Sequence, residues 1–227
     1  MKIGLSYALE GEIESILKHT QAKRLETAGG VDIYEIEADI LAFTGGVGKV
    51  NAAMGAQLFI DRHHPDWIVN AGVAGSFLDL PIGTMVLAKD FVQHDVDTTA
   101  AGDPIGMVST VDQVVFPTDE AERLSAILAA QGVEHLVGRV ATGDVFMTKG
   151  ERADWVAGTF APVLCEMEGG AVAQVCLRNG VKFAALKSVS DRLCQENNAE
   201  EYFNYPEAMA KLNAVVLPFA RVLRDGE

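Results

Sequence analysis

The sequence predicts an α/β protein with a three-layer α/β/α architecture around a central mixed β-sheet. Two observations predict it. Short β-rich runs alternate along the chain with longer stretches of helical periodicity, which is typical of helices packed on both faces of a sheet. In addition, 49% of the 227 residues are hydrophobic and 22% are charged, as in an ordinary folded protein. No linker-like composition shift and no internal repeat divides the chain, so we expect one domain over residues 1–227.

The predicted elements follow from this alternation. The strands are the short runs rich in β-branched and aromatic residues, at 2–7, 32–37, 40–44, 67–71, 84–94, 136–142, 162–167 and 182–189. The helices are the stretches in which apolar residues recur at spacings of three and four, at 10–19, 48–63, 118–131, 150–157, 169–179 and 204–224.

Glycines and acids gather directly after predicted strands. These segments are Gly45-Gly46, Gly72-Val73-Ala74-Gly75, Gly143-Asp144, Glu168-Gly169-Gly170 and Ser190-Asp191. In an open α/β sheet, ligands bind outside the carboxyl ends of the strands, so these segments predict the rim of a pocket. Taken singly, each has a plainer interpretation: a glycine pair as a turn, Asp191 as a turn cap, and Glu12 as a favourable charge at a helix start.

The run 163-VLCEMEGGAVAQVC-176 contains the least expected charges. Glu166 and Glu168 flank Met167 at the end of an apolar stretch, where a carboxylate costs free energy unless it is paired, hydrogen-bonded or used in chemistry. We expect Glu166 to pair with Lys187 or another buried cation, and we expect Gly169 and Gly170 to allow close helix packing.

The charge balance excludes several classes of partner. Asp and Glu number 32 against 18 Lys and Arg, giving a net charge of −14, and the basic residues are scattered. Nucleic acid and anionic membrane surfaces are therefore disfavoured. The segment Gly45–Lys49 departs from the Walker pattern because Val50 stands where Ser or Thr is needed, so a nucleoside triphosphate site is not predicted.

Location and metal content follow from a few residue types. Three cysteines, Cys165, Cys176 and Cys194, lack a CxxC spacing and indicate reduced thiols in a cytoplasmic protein. The acidic N-terminal segment predicts no signal peptide, and no apolar stretch approaches the roughly 20 residues that span a bilayer. His94 and Asp95 lie on opposite faces of a predicted strand, so a metal site at 94–97 is the weaker interpretation.

Seven segments together resemble a known family. The segments are 8-ALEGEIESIL-17, 45-GGVGKVNAA-53, 70-NAGVAGS-76, 94-HDVDTTAAG-102, 142-TGDVFM-147, 166-EMEGGAVAQV-175 and 188-SVSD-191. In order and spacing they resemble the 5'-methylthioadenosine/S-adenosylhomocysteine nucleosidases of the purine nucleoside phosphorylase and uridine phosphorylase superfamily. The resemblance implies a nucleoside phosphorylase-like fold, irreversible hydrolysis of a purine–ribose bond in a small-molecule nucleoside, no cofactor and no metal, a homodimer, and a place in the clearance of by-products of S-adenosylmethionine use.

The resemblance also implies roles for particular residues. Glu12 looks like the carboxylate that deprotonates the attacking water, and Glu168 like the one that binds the ribose hydroxyls. Asp191, steadied by Ser190, looks like the acid that protonates the purine at N7. The remaining implied substrate-binding residues are Phe146, which stacks on the base, Val145 and Met147, whose backbone reads its edge, Met167 beneath the sugar, and Leu9, Val47 and Ala74.

Some positions depart from the family's pattern. Lys187 stands where arginine is common and cannot reproduce a bidentate guanidinium contact. Val73 replaces a frequent serine and Leu9 a methionine. Ala101 and Asp103 stand where aromatic residues often wall the 5'-substituent pocket of a neighbouring subunit, which predicts a larger or more polar 5' group.

Two alternatives remain open from the sequence. A nucleoside phosphorylase would hold an anion beside the ribose and needs arginines there, whereas this chain offers Glu10 and Glu12 and no arginine in 70–76. A nucleoside-binding protein without turnover would not need a water-activating base, so the combination of Glu12, Glu168 and Asp191 favours an enzyme.

Overall fold

A computed structural model describes residues 1–193 and 204–226; Cys194 lies outside these ranges. The strands are β1 Ile3–Tyr7, β2 Lys23–Ala28, β3 Val31–Glu37, β4 Ile40–Thr44, β5 Trp67–Ser76, β6 Met85–Gln93, β7 Val115–Pro117, β8 His135–Thr142, β9 Leu164–Glu166 and β10 Lys182–Arg192. The helices are α1 Glu10–His19, α2 Lys49–His63, α3 Ala121–Ala130, α4 Glu151–Phe160, α5 Gly169–Asn179 and α6 Tyr205–Asp225, with a short 3-10 helix at Thr99–Ala101.

The sheet is mixed, as predicted. Its strand order is β10-β6-β8-β9-β5-β1-β4-β3-β2, with β7 on β6. Strand β1 runs parallel to β4 and β5, whereas β9 runs antiparallel to β5 and β6 antiparallel to β10.

One side of the sheet closes on itself. Strand β10 pairs with β5 as well as with β6, so β5, β10, β6, β8 and β9 close into a ring of strands. Closure is possible because β5 and β10 are 10 and 11 residues long, which lets each strand pair with different neighbours along its length. The carboxyl-terminal halves of β5 and β10 therefore lie side by side at one rim of the ring.

Alternate side chains of the strands pack into two large cores, and a third, smaller cluster lies around Met147 and Phe160. Ile3, Leu5 and Tyr7 of β1 pack with apolar side chains of α1, α3 and α6. On the other face, Leu41 and Phe43 of β4 pack with α2 and α5. Because strand side chains alternate between faces, this division places helices on both sides of the sheet and confirms the three-layer α/β/α architecture.

The sequence prediction missed two strands and ended β5 too early. Strand β2 was not predicted because KRLETA has no apolar alternation; its residues are mostly exposed and pair only with β3. The three-residue β7 was also missed. Strand β5 continues through Gly72–Ser76, which were predicted to follow it, because these residues pair with the end of β10.

None of the helices in the described ranges has the length and apolar character needed to cross a bilayer.

Candidate active site

A cavity of about 200 Å³ opens where β5 and β10 end. The segments after β1, β8 and β9, the loop before α2 and the start of α6 complete its walls. Every residue to which the family resemblance gives a role lines it: Leu9, Glu12, Val47, Ala74, Val145, Phe146, Met147, Met167, Glu168, Ser190 and Asp191. The predicted rim was too wide, because Gly45, Gly46, Gly72, Gly143, Asp144, Gly169 and Gly170 do not line the cavity. Sequence reasoning did not assign a place in the cavity to Ala8, Cys165, Glu166, Leu193 or Tyr205, which also line it.

Glu12 both caps α1 and faces the cavity. It is the third residue of the helix, and its Oε2 accepts hydrogen bonds from the N–H groups of Ala8 (2.8 Å) and Leu9 (3.0 Å). Burial raises the pKa of Glu12, although these two donors and the charge of Lys187 oppose the rise. Glu12 therefore lies at the helix start and also lines the cavity, and the two capping bonds hold its carboxylate at the cavity wall.

Glu166 and Lys187 form a buried ion pair. Lys187 Nζ lies 2.9 Å from Glu166 Oε2, and each side chain is only 2% exposed, so the predicted pairing is confirmed. The same Oε2 accepts from the N–H of Gly169 (2.7 Å), and Thr142 Oγ1 donates to the other oxygen. Burial alone would raise the pKa of Glu166, but Lys187 and the hydroxyl and amide donors hold it below its usual value.

The pKa of Glu168 is shifted in the opposite direction to that of Glu166. Glu168 Oε1 accepts the N–H of Gly48 at 2.9 Å. Burial and the charge of Glu166 raise the pKa of Glu168 to about 7, against the opposing effects of Lys187 and the Gly48 amide. Gly48 has φ +93°, and a Cβ there would lie 2.9 Å from an oxygen of Asp144, so glycine is required for this contact.

Asp191 lines the cavity near the end of β10, after a register shift between Val189 and Asp191. It lies beside Gly75 of β5, whereas Glu12 lies beside Gly72. Asp191 Oδ1 accepts the Ser190 hydroxyl at 2.8 Å. Burial raises the pKa of Asp191, and the Ser190 hydrogen bond only partly offsets this. Gly75 makes room for it, because a Cβ at that position would come within 2.8 Å of Asp191 Oδ2.

The segment after β8 forms the outer wall. Met147 is buried, whereas Phe146 is 56% exposed at the cavity mouth. The backbone N–H of Val145 donates to the carbonyl of Gly143 at 2.7 Å, which tightens the turn that carries Phe146.

The two glycines that open α5 are explained by packing, as predicted. A Cβ at Gly169 would lie 2.4 Å from the Phe91 ring, and one at Gly170 would lie 2.9 Å from Thr142 Oγ1. The absence of side chains brings the first amides of α5 close to Glu166 and Thr142.

Ala101 and Asp103 do not line this chain's own cavity. Asp103 accepts hydrogen bonds from Thr98 Oγ1 (2.8 Å) and from the Ser109 hydroxyl within its own loop. Asp95, named above in the weaker metal-site interpretation, accepts a hydrogen bond from Lys49 Nζ. In the part of the chain that the structure describes, no group of three or more His, Cys, Asp and Glu side chains is placed to hold a metal ion.

Some of the cavity residues that sequence reasoning missed could have been found from their neighbours in the sequence, and others could not. Cys165 and Glu166 stand in the same short run as Glu168, so their position beside the cavity follows from the neighbouring assignment. Tyr205 is brought in by the start of α6, nearly two hundred residues from Leu9 and Glu12. Nothing local in the sequence marks such a contact.

Comparison with known proteins agrees with this geometry. A family model described as Phosphorylase superfamily matches residues 2–221. The 5'-methylthioadenosine/S-adenosylhomocysteine nucleosidase of Geobacillus thermodenitrificans (strain NG80-2) is 38% identical, over 99% of this chain and 98% of the relative.

Two solved structures show the same fold. The S-adenosylhomocysteine nucleosidase of Streptococcus pyogenes, in complex with 5-methylthiotubericidin, superposes with a TM-score of 0.87 at 27% identity, covering 98% of this chain and 97% of the other. The futalosine hydrolase of Helicobacter pylori strain 26695 gives 0.82 at 27% identity, covering 99% and 96%. With a superfamily match across nearly its whole length and a 38% identical relative, the chain belongs to the 5'-methylthioadenosine/S-adenosylhomocysteine nucleosidase family of the phosphorylase superfamily.

Proposed function

We propose that this protein hydrolyses the N-glycosidic bond of 5'-substituted adenosines, such as 5'-methylthioadenosine, S-adenosylhomocysteine and 5'-deoxyadenosine, to adenine and the 5'-substituted ribose. One observation carries the proposal. A single cavity holds two hydrogen-bonded carboxylates, Glu12 and Glu168, together with a separate acid, Asp191, whose pKa is raised by burial.

The chemistry of the reaction requires such a set. Breaking the bond between C1' of the ribose and N9 of adenine builds positive charge on the sugar and negative charge on the base. In the proposed mechanism the Asp191 carboxyl gives its proton to N7 of the departing adenine. A water oxygen bonds to C1', and Glu12 takes the proton that the water releases, so one acid and one base divide the work as in other glycoside hydrolyses.

The other predicted residues bind and orient the nucleoside in this proposal. Glu168 accepts hydrogen bonds from the ribose hydroxyls, and its negative charge stabilises the cationic sugar. Ser190 orients Asp191, and Phe146 stacks on the base, whose edge contacts the backbone of Val145 and Met147. Met167 packs beneath the sugar, with the remaining apolar walls supplied by Leu9, Val47 and Ala74.

The charge of the cavity favours water over phosphate as the nucleophile. Among the described residues that line the cavity there is no lysine or arginine. The nearby cation Lys187 is already paired with Glu166. The carboxyl groups of Glu12 and Glu168 both line the cavity. A phosphate dianion would therefore be repelled by the carboxylates without a compensating cation.

A second candidate is a nucleosidase for another 5' group. The likeness to a solved futalosine hydrolase, at 27% identity, favours testing it. Ala101 and Asp103, in place of the aromatic residues that the family often has, support a wider or more polar 5' side.

The test is release of free base from 5'-methylthioadenosine, S-adenosylhomocysteine, 5'-deoxyadenosine, adenosine, inosine and futalosine, each with and without phosphate. We expect adenine release from the thioether nucleosides that does not depend on phosphate and that falls by about 10²- to 10⁴-fold in Glu12→Gln. Release that requires phosphate would establish a phosphorylase, and tight binding without release would establish a binding protein. Preference for futalosine would establish the second candidate.

Assembly, location and pathway are proposed on the family resemblance. We propose that residues 1–227 act as one domain and form a homodimer in which the segment His94–Ile105 reaches the partner's cavity. The exposed side chains Leu9 and Val47, which line the cavity, support an interface there. A cytoplasmic location is supported by the free thiols of Cys165 and Cys176, and methionine salvage would follow from the substrates. Sedimentation of the purified protein tests the dimer directly.

A further inference from the structure

Lys49 is one of three mutually hydrogen-bonded residues outside the cavity, and its Nζ additionally donates to Gln93 Oε1 at 3.2 Å. Its Nζ donates to Asp95 Oδ1 at 2.6 Å, and its backbone N–H donates to Asp144 Oδ1 at 2.7 Å. Asp144 in turn donates its own N–H to Asp95 Oδ2 at 2.9 Å. Each of the three residues makes two contacts with the other two, and they come from three distant parts of the chain. We call this set the Lys49–Asp95–Asp144 cluster.

The cluster lies between two parts of the proposed site. On one side, Gly48 immediately precedes Lys49 and donates its N–H to Glu168. On the other side, Asp144 immediately precedes Val145 and Phe146, which line the cavity. None of the three cluster residues lines the cavity itself. A change in the cluster would therefore reach the ligand only by moving the residues next to it.

We infer that Lys49 is a positioning residue that fixes the Gly48 amide on Glu168 and the Val145–Phe146 segment in one relative placement. This inference rests on the proposed function, because it assigns a role within the same site. It also accounts for two sequence features that the proposed mechanism leaves unused, the lysine after Gly45–Gly48 and the acid at position 95.

Charge explains why a cation is needed at position 49. Asp95 and Asp144 lie together, and Lys49 Nζ is the cation that bonds Asp95, with side chains that are each 17% exposed. Burial would raise the pKa of Asp95, but the Lys49 hydrogen bond, the Asp144 amide and the charges of Lys49 and His94 hold it below its usual value. Without the ammonium group, the Asp95 carboxylate would keep its partly buried charge with no bonded cation, and the bond that ties α2 to the segment after β6 would be lost.

The protonation state of Glu168 connects the positioning role of Lys49 to a measurable pH dependence of substrate binding. The charged groups that face Glu168 are Glu166, Lys187 and Glu12, and the Gly48 amide is the hydrogen-bond donor on it. A displaced Gly48 amide stabilises the carboxylate less, so the pKa of Glu168 would rise above about 7. Binding of the ribose hydroxyls by the ionised form would then require a higher pH.

The experiment compares Lys49→Met with a matched control, Arg139→Met. Arg139 pairs with Asp90 between β8 and β6 at 2.6 Å, at similar burial, but touches neither Gly48 nor the segment after β8. For each protein, kcat and KM for 5'-methylthioadenosine are measured from about pH 5.5 to about pH 9, together with the thermal unfolding midpoint. Lys49→Arg and Asp95→Asn complete the set.

We expect kcat/KM of Lys49→Met to be about tenfold or more below wild type on the acidic side, the loss typical of a hydrogen bond to a charged group. The ratio of wild type to variant should shrink as the pH rises, because Glu168 then ionises in both proteins. Lys49→Arg should restore most of the activity, and Asp95→Asn should show the same pH-dependent ratio if Lys49→Met does not fold. A ratio that does not change with pH, or an equal shift in Arg139→Met, would overturn the inference.

Failure of the proposed function is seen separately. If the wild-type protein releases no base, that proposal fails before any variant is compared. The positioning role is then read from the pH dependence of 5'-methylthioadenosine binding, measured by equilibrium dialysis for wild type and Lys49→Met. A pH-independent ratio of the two dissociation constants would again overturn it.

Discussion

The two ends of the cavity handle charge in opposite ways. Around Glu12, Glu166 and Glu168, carboxylates are held by backbone amides and by the buried cation Lys187. Around Asp191 there is one hydroxyl donor, from Ser190, and burial raises the pKa of the carboxyl. At the first end, amide donors and Lys187 oppose the effect of burial on the carboxyl groups, and we call it the charge-holding end. At the second, a single hydroxyl opposes it, and we call it the proton-holding end.

This contrast matches the two halves of a glycosidic cleavage. A sugar that becomes cationic needs fixed negative charge beside it, whereas a base that leaves as an anion needs a proton. Glu166 and Glu168 show that position in the sequence does not decide the outcome. They are two residues apart, yet Lys187 bonds the first directly at 2.9 Å, whereas burial and the charge of Glu166 raise the pKa of the second to about 7.

Removing the acid from the proton-holding end should give the largest effect. In Asp191→Asn, we expect kcat for 5'-methylthioadenosine to fall by about 10²- to 10⁴-fold, because a general acid contributes that much, with little change in KM. Steady-state kinetics near neutral pH measures the loss. A control substrate, the p-nitrophenyl glycoside of 5-methylthioribose, has a leaving group that needs no proton. Its rate of hydrolysis should fall much less in Asp191→Asn. Full retention of the adenine-releasing rate would contradict the acid role of Asp191.

Removing the cation from the charge-holding end should cost stability as well as activity. In Lys187→Met, Glu166 stays buried without its partner, and we expect the free energy of unfolding to fall by about 3–5 kcal/mol. The double variant Lys187→Met/Glu166→Gln should recover most of this. Chemical denaturation of the single and double variants checks both expectations.

The pH dependence of that loss has a definite sign. Because the pKa of Glu166 is lowered in the folded wild type, its contribution to stability is present above its unfolded pKa of 4.5 and is lost as the pH falls through the lower folded value. In Lys187→Met, acid instead relieves the buried charge. The difference between the two proteins should therefore shrink on acidification, and a constant difference would contradict the pairing as its cause.

A smaller effect is expected from the packing that supports the charge-holding end. In Gly170→Ala, the added methyl would meet Thr142, whose hydroxyl donates to Glu166, and we expect a loss of about 1–3 kcal/mol of unfolding free energy. Gly158→Ala in α4 is the matched control, since a Cβ there meets nothing within 4 Å. It should stabilise the protein by up to about 1 kcal/mol, as alanine does in a helix interior. Equal effects of the two substitutions in thermal unfolding would argue against close packing at α5.

Much of the fold could be predicted because local patterns carried it. The bounds of α1 and β4 agree with the sequence prediction, since apolar periodicity and the flanking turn residues mark them. Strand β2 could not be predicted from pattern, because an edge strand that is mostly exposed has no apolar face to show. The extension of β5 through Gly72–Ser76 also had no signal, because pairing with β10 overrides the weak strand preference of glycine.

The candidate site also has features that could be predicted from the sequence and features that could not. The residues assigned by the family resemblance all line one cavity, while their chemical roles stay predictions. The Glu166–Lys187 pair could be anticipated because a buried acid needs a partner. The raised pKa of Glu168 could not, because it depends on which of two neighbouring glutamates Lys187 bonds. Tyr205 and the Lys49–Asp95–Asp144 cluster depend on contacts between distant segments, which one sequence does not reveal.

The smallest effect should come from the single donor at the proton-holding end. In Ser190→Ala, Asp191 loses the hydroxyl that stabilises its ionised form, so its already raised pKa should rise further. A hydrogen bond worth about 0.5–1.5 kcal/mol corresponds to a shift of about 0.4–1 pH unit. The alkaline limb of the kcat profile, where Asp191 loses its proton, should move to higher pH by that amount, with little change near neutrality. The same substitution at a carboxylate that works in its ionised form would impair activity on the acidic side instead. A pH profile of kcat for Ser190→Ala therefore reports which kind of carboxyl group Asp191 is, and a shift of the alkaline limb to lower pH would place it with the charge-holding groups.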